Sequence, residues 1–559
     1  MEKLKKLKNY FSIVDIIFCL FLGTAFSIYP EYYTKGSCEA SPHLVIKSIG
    51  LFCIIFIVSI AIKMLISKIN SIEDKKDGLI SKIFNKENKI YKYRLFILAG
   101  IILLLWLPVI ISLYPGTLSN DTWNQLNQYI NLSNGEHLRD HHPVFDTIYI
   151  GSLIVPIAKL SGNWQLAFFI YVIIQAIITS LVFAYSLIFA KEKLKLNNIF
   201  ITIFLVTYAI LPIFPASVQA INKDALFSWI YVLFFINFLD IVRTKGSQLE
   251  NNKFFAATIV LALFCCLTKK VGMYVLLLSL VLLLLFKISN KKRIICIIAS
   301  VIILMKIIMP FIIEKFQIEK SGQQEKYSLF FQQTARYLKE NMDDINEEDR
   351  LFIEEVIGQD ANEIVKVYDE KYADPVKGYT QRVTDDKYIK YLFVWAKLGL
   401  KHPSSYIDAT NCMWSGWINY TMYKPLMNMN HHNQLDTDYM DESVSQRHGT
   451  AKSAEFIQNA YDTIYKIPVI KYLLTQGMYI VIIPLFALST TLKKGGKGKG
   501  YWIGIIPLFL SIALGCLLAP VADNIEGQRY LFPVTFTSVA VLMWTVFVQK
   551  EKEKEQEIK

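Results

Sequence analysis

Residues 167–189 read AFFIYVIIQAIITSLVFAYSLIF, and the basic cluster KEKLK, Lys191 to Lys195, follows almost at once. An uncharged run of this length, rising about 1.5 Å per residue as a helix, crosses a hydrocarbon core of roughly 30 Å. The lysines at its end mark the cytoplasmic side by the positive-inside rule. Working outward, the same pattern recurs in VIKSIGLFCIIFIVSIAIKML at 45–65 and in VLLLSLVLLLLF at 275–286. Of the 559 residues, 53% are hydrophobic and only 19% charged, more apolar material than a soluble chain can hide. The fold expected is an all-α polytopic membrane protein.

The formal charge of +12 does not point to nucleic acid, because Lys and Arg fall in short clusters between apolar runs and no nucleic-acid motif is present. Those clusters orient the chain. The lysines of MEKLKKLKNY are expected to stay inside, with the run that follows as a retained anchor. Spans are then expected at about 11–29, 46–67, 94–114, 165–190, 197–214, 225–242, 253–267, 271–288, 292–314, 468–491, 501–519 and 529–548. That makes about twelve transmembrane helices with both termini cytoplasmic. Residues 144–160 are also apolar, but a span there would put KEKLK outside and invert every later basic loop, so they are expected to form a helix lying on the outer interface.

Four parts result: an N-terminal two-helix segment with a basic cytoplasmic loop at 1–93, a membrane core at 94–314 containing a first outer loop at 115–164, a mostly helical extracytoplasmic domain at 315–466, and a three-helix segment with a cytoplasmic tail at 467–559. No internal repeat is evident.

The first outer loop carries Asp121 just after the turn Tyr114-Pro115-Gly116, with Trp123 beside it and His141-His142-Pro143 leading into the interfacial helix. A carboxylate there suits a general base acting on a hydroxyl, although Asp also caps short helices well. Cations stand at outer helix ends, against the topology rule: Lys223 beside Asp224, Lys269 with Lys270, and Arg529 beside Tyr530. Together they suit a phosphate or diphosphate headgroup; singly, each is explained by snorkelling. The outer domain is rich in Trp, Tyr, Asn and His (NCMWSGWINYTMY, NMNHHNQLDTDYM), which suits sugar recognition or a membrane interface equally. Six of the eight cysteines lie in apolar runs, while Cys38 and Cys412 fall in outer segments where a disulfide is open. No Cys/His spacing resembles a zinc site. Asp15, within the first span, marks either a transport path or a water-facing helix end.

With these residues placed, the chain resembles the GT-C superfamily of membrane glycosyltransferases, in which an acidic residue follows a membrane helix in the first outer loop and a His-Pro element introduces a juxtamembrane helix. The matching residues are Asp121, His142-Pro143 and GNWQLAFFIYV. More closely it resembles a bacterial membrane family within or near that superfamily, through YPGTLSNDTWNQ, HHPVFDT, INKDALF, TKKVGMY, YSLFFQQTARY, YADPVKGY, HPSSYIDA and EGQRYLFP, in that order from Tyr114 to Pro533. The chain departs from the superfamily in having Asn120 and Thr122 around a single acidic residue, and Lys269-Lys270 where related chains often show Arg followed by Asn.

The resemblance implies a GT-C-like fold in the plasma membrane of a bacterial cell. Its donor would be a polyprenyl-phosphate-linked sugar, its acceptor an extracytoplasmic glycan, lipid or cell-wall polymer, and its solvent the lipid bilayer. Asp121 would be the base; Lys223, Lys269, Lys270 and Arg529 would hold the donor phosphate; Trp123, His141, His142, Asp224, Arg336 and Tyr530 would contact substrate. It specifies no cofactor and leaves open a divalent cation. Alternatives are an O-antigen-type polymerase or ligase relying on Arg and His, a lipid or oligosaccharide transporter, and a non-catalytic assembly factor.

Overall fold

A computed structural model describes residues 10–75, 78–322, 324–377, 384–421, 452–492, 500–519 and 526–558. The segments MEKLKKLKN and NMNHHNQLDTDYM and most of the basic loop at 492–500 lie outside the described residues. The principal helices are α1 (Ile13–Lys35), α2 (Pro42–Asn70), α3 (Arg94–Ser112), α4 (Asn120–Asn131), α5 (Val144–Ser161), α6 (Trp164–Glu192), α7 (Asn198–Ile210), α8 (Lys223–Arg243), α9 (Asn252–Thr268) and α10 (Lys270–Leu284). They continue with α11 (Lys291–Lys315), α12 (Ser328–Asn341), α13 (Glu347–Ile357), α14 (Asp385–Lys401), α15 (Pro403–Ile418), α16 (Lys452–Tyr465), α17 (Met478–Thr491), α18 (Tyr501–Leu518) and α19 (Phe532–Ile558).

Among the described residues nine helices are long and apolar enough to cross a membrane. Their outward faces are apolar too: Ile46, Ile49, Ile54, Ile57 and Leu65 all stand exposed along α2. In water such a face would aggregate; against lipid it is solvated. The chain is a multi-pass helical membrane protein. α8 and the last span, Gly527–Lys554, are buried almost throughout and form the centre of the bundle.

Several expected spans differ in detail. α7, α9, α10 and α17 are shorter than a full crossing. The run at 197–214 stops at Ile210, because Pro212 offers no N–H to continue it, and a separate short helix, Ile213–Val218, follows. The run at 468–491 is broken as well, into Ile470–Leu473 and α17, with Val469 at φ 73°. α5 is long and apolar enough to span, so length and composition do not separate it from the membrane helices.

A second, smaller core forms between α12, α13, α14 and α15 from Phe331, Tyr337, Ile353, Val356, Tyr391 and Tyr406. α1 reaches it. Tyr32 Oη donates to Asp408 Oδ1 at 2.8 Å and Tyr29 Oη to Asn411 Oδ1 at 3.1 Å. Cys38 and Cys412 are both free thiols, and Cys412 Sγ donates to the carbonyl of Gly36 at 3.1 Å. At the other end of the α1–α2 hairpin Asp15 is buried. It caps α1 with Ser12 and is ion-paired to buried Lys63, so its place in an apolar run has a structural explanation.

Candidate functional site

The site is assembled where two short segments, a hundred residues apart, lie side by side. Thr117–Leu118 (β1) pairs in parallel with Ala220–Ile221 (β2), Thr117 opposite Ala220 and Leu118 opposite Ile221. Gly116 makes this approach feasible: at φ 117° a side chain would be strained, and a Cβ there would sit 2.6 Å from Val172 Cγ2. Gln175 Nε2 pins the second segment from α6 by donating to the carbonyl of Ala220 at 2.9 Å.

Each segment opens directly into a helix. Ser119 caps α4, accepting from Thr122 N–H, which sets Asp121 in the first turn. Asn222 caps α8, accepting from Ala225 N–H at 2.8 Å, so Lys223 and Asp224 are its first two residues. The turn Glu526–Leu531 before α19 brings in Arg529 and Tyr530, and the break between α9 and α10 brings in Lys269.

Asp121 Oδ2 accepts from Lys223 Nζ at 2.8 Å and from Arg529 Nη1 at 2.5 Å. Asp224, fully buried, pairs with Lys269 at 2.7 Å and faces Arg529 at 3.5 Å. Lys269 Nζ also donates to the Tyr530 carbonyl at 3.3 Å, and the Arg529 guanidinium lies over the Tyr530 ring at 5.0 Å. Three cations thus meet two carboxylates, leaving a positive centre. It forms part of the wall of a cavity of about 420 Å³. One side of the cavity is apolar, from Phe227, Val271, Val275, Leu514, Leu518 and Val534.

Burial alone would push the Asp121 carboxyl up, but Arg529 and then Lys223 hold it well below the usual carboxylate range. His142 lies behind Lys223, its Nδ1 2.8 Å from Nζ. An ammonium can only donate, so Nδ1 accepts and the neutral ring carries its proton on Nε2. Burial, then Lys223, holds His142 well below its ordinary value. Burial likewise lowers His141, which lines the cavity.

The structure gathers Asp121, His141, His142, Lys223, Asp224, Lys269, Arg529 and Tyr530. Lys270 stands at the rim, bonded to Asp140 and 3.5 Å from Ser321 Oγ. Trp123 is buried in the membrane core, its ring 5.7 Å from Phe168 and edge-on to it. Arg336 lies apart, buried in the smaller core between Glu340, Glu370 at 3.4 Å and Asp408 at 3.9 Å. Conversely, Glu325, Tyr372, Asp374 and Lys377 also line the cavity. Three of these four belong to YADPVKGY, and the Asp374–Lys377 spacing, one helical turn, was the available signal. Asp146, in HHPVFDT, is fully buried, and neither carboxylate oxygen has a hydrogen-bond partner among the described residues.

Among the described residues no three His, Cys, Asp or Glu side chains gather to hold a metal ion. Asp121 and Asp224 are each occupied by two cations, so the donor set does not fit a divalent cation.

Residues 128–559 match the sequence model of a family of unknown function, DUF6020. The matched span takes in Lys223, Lys269 and Arg529 and starts beyond Asp121. No curated protein and no solved structure matches the chain.

Proposed function

We propose that this chain, which belongs to the DUF6020 family, is a membrane glycosyltransferase moving a sugar from a polyprenyl-phosphate-linked donor to an extracytoplasmic glycan, lipid or cell-wall acceptor. The observation that carries the reading is the placement of Lys223, Lys269 and Arg529 around Asp121 and Asp224 in a cavity that also has an apolar side, from Phe227, Val271, Val275, Leu514, Leu518 and Val534. A lipid-linked phosphate needs both halves, and a carboxylate beside them supplies the base. The resemblance to GT-C glycosyltransferases supports the same assignment.

In this reading the acceptor hydroxyl loses its proton to Asp121 as its oxygen bonds to the anomeric carbon of the sugar. The bond from that carbon to the phosphate oxygen breaks, and the departing polyprenyl phosphate stays against Lys223, Lys269 and Arg529. Positioned donors of this kind contribute about 10²–10³ each in rate. The chain sits in the plasma membrane of a bacterial cell with both termini cytoplasmic, about twelve spans, and α5 on the outer interface. The lysines of Lys191–Lys195 support that orientation.

One observation favours a second reading. The grip of Arg529 and Lys223 on Asp121 depresses its basicity, which suits an O-antigen-type polymerase or ligase relying on Arg529 and His142, with Asp121 only positioning them.

The test compares cell-surface glycans, by mass spectrometry, in a deletion strain and in strains carrying Asp121→Asn or Arg529→Gln, with membrane protein levels matched. The transferase reading expects the deletion to remove a sugar and both variants to reproduce the loss. Restored glycans with Asp121→Asn alone select the polymerase reading. An unchanged glycan profile in the deletion strain overturns both.

A further inference from the structure

The bundle holds a second charged cavity, at its opposite end. α3 begins beside it, through Arg94, and ends just before the Asp121 loop; its 19 residues separate the two by roughly 28 Å. This cavity, about 440 Å³, is lined by Lys86, Lys191, Lys195 and Lys550 together with Asp74 and Glu192.

The carboxylates there are already committed. Glu192 pairs with Arg94 at 2.8 Å and accepts from Tyr91 Oη at 3.0 Å. Asp74 pairs with Lys191 at 2.6 Å and accepts from the backbone N–H of Asn198, the first residue of α7, at 2.5 Å. Among the described residues Lys86, Lys195 and Lys550 form no ion pair, so positive charge remains unmatched in the lining. Lys550 Nζ donates to the carbonyl of Lys195 at 2.7 Å. Lys195 holds φ 56°, a conformation side-chain-bearing residues rarely adopt.

The pull on anions is visible within the chain itself. Asp74 comes from the segment after α2, and its carboxylate sits at the start of α7, where free N–H groups and the helix dipole attract negative charge. The cavity has polar groups converging from α2 (Asn70), α6 (Lys191 and Glu192), the cap of α7 (Asn197) and α19 (Lys550), and exposed Ile72 lines it just past the end of α2, at the level where that span ends. That is the depth of lipid headgroups.

We propose that this cavity binds a phosphate group, the chemistry shared by an anionic lipid headgroup and a soluble phosphate ion. The site is distinct from the Asp121 cavity and does not depend on the glycosyltransferase reading.

The test uses the purified full-length chain in neutral detergent and follows thermal unfolding at constant ionic strength. It titrates short-chain phosphatidylglycerol, short-chain phosphatidylcholine, whose phosphate is balanced by choline, and inorganic phosphate. The variant Lys195→Asn with Lys550→Gln removes two charges while Asn tolerates the left-handed backbone at 195. Lys86→Gln, at an exposed position, is a second variant should that one fail to fold. Lys292→Gln, exposed on α11, controls for general surface charge.

The apparent affinity for phosphatidylglycerol or phosphate is expected to weaken by about fivefold for each cavity lysine removed, and to stay unchanged in Lys292→Gln. Stabilisation by phosphatidylglycerol alone assigns the site to a lipid headgroup; stabilisation by inorganic phosphate as well assigns it to the phosphate group itself. The proposal is overturned if neither probe binds more tightly than phosphatidylcholine, or if the cavity variants bind as the parent does.

Discussion

At the scale of single residues, the centre of the site is a matter of charge matching. Asp121 stands between Lys223 and Arg529, and Asp224 between Lys269 and Arg529. Asp121→Asn keeps the shape and removes the charge, leaving buried Arg529 with one partner fewer. A loss of about 3 kcal/mol in stability is expected, and a double-mutant cycle with Arg529→Gln should return a coupling above about 1 kcal/mol. Additive effects in chemical unfolding would show that the pair is not coupled. His142 makes a pH prediction. Its folded pKa is depressed, so the folded state is favoured above the unfolded value and loses stability as pH falls below about 6.5. His142→Asn preserves an acceptor for Lys223 without titrating there, and its melting temperature should fall less steeply as pH drops below about 6.5. An equally steep acid limb in the variant would move the cause elsewhere.

At the scale of elements, the joint between β1 and β2, which lead into α4 and α8, decides whether the site forms. Gly116→Ala places a Cβ against Val172 at a backbone angle that disfavours side chains. A destabilisation of about 1–3 kcal/mol is expected, with activity falling further than Val172→Ala, which opens space at the same contact. Activity equal to the parent's in Gly116→Ala would show that the joint tolerates a shift. Membrane helices were the most legible elements, because a long apolar run is both a sequence pattern and a solvent requirement. Their ends were less so: Pro212 and the turn at Val469 split runs that hydropathy alone joins. Cations at helix ends expected to face outward were legible as exceptions to a topology rule, which is how the sequence singled out Lys223, Lys269 and Arg529. Their partners were not. Arg529 meets Asp121 across 408 residues, and no local spacing encodes so distant a contact. Arg336 stood in an equally suggestive motif, yet its guanidinium is committed to Glu340, Glu370 and Asp408 in the smaller core. Composition cannot distinguish those two fates of a buried arginine.

At the scale of the whole molecule, α1 ties the bundle to the smaller core through Tyr29 and Tyr32, and the Asp15–Lys63 pair anchors its far end. Asp15→Asn should lower the melting temperature by leaving Lys63 buried without a counter-charge, a loss of about 3–5 kcal/mol. The double replacement Asp15→Leu with Lys63→Met should recover most of it, since apolar residues of similar volume often replace a buried pair without loss. Failure of the double variant to recover would give the pair a role beyond attachment. The grip on Asp121 carries a further consequence for the transferase reading, in time rather than in space. A carboxylate held by two cations is a poor proton acceptor, and a phosphate is a strong competitor for the same cations. In that reading an incoming donor loosens the grip and sharpens the base, so the acceptor hydroxyl is activated only once the donor is bound. The empty site is then left without a reactive base to waste on water.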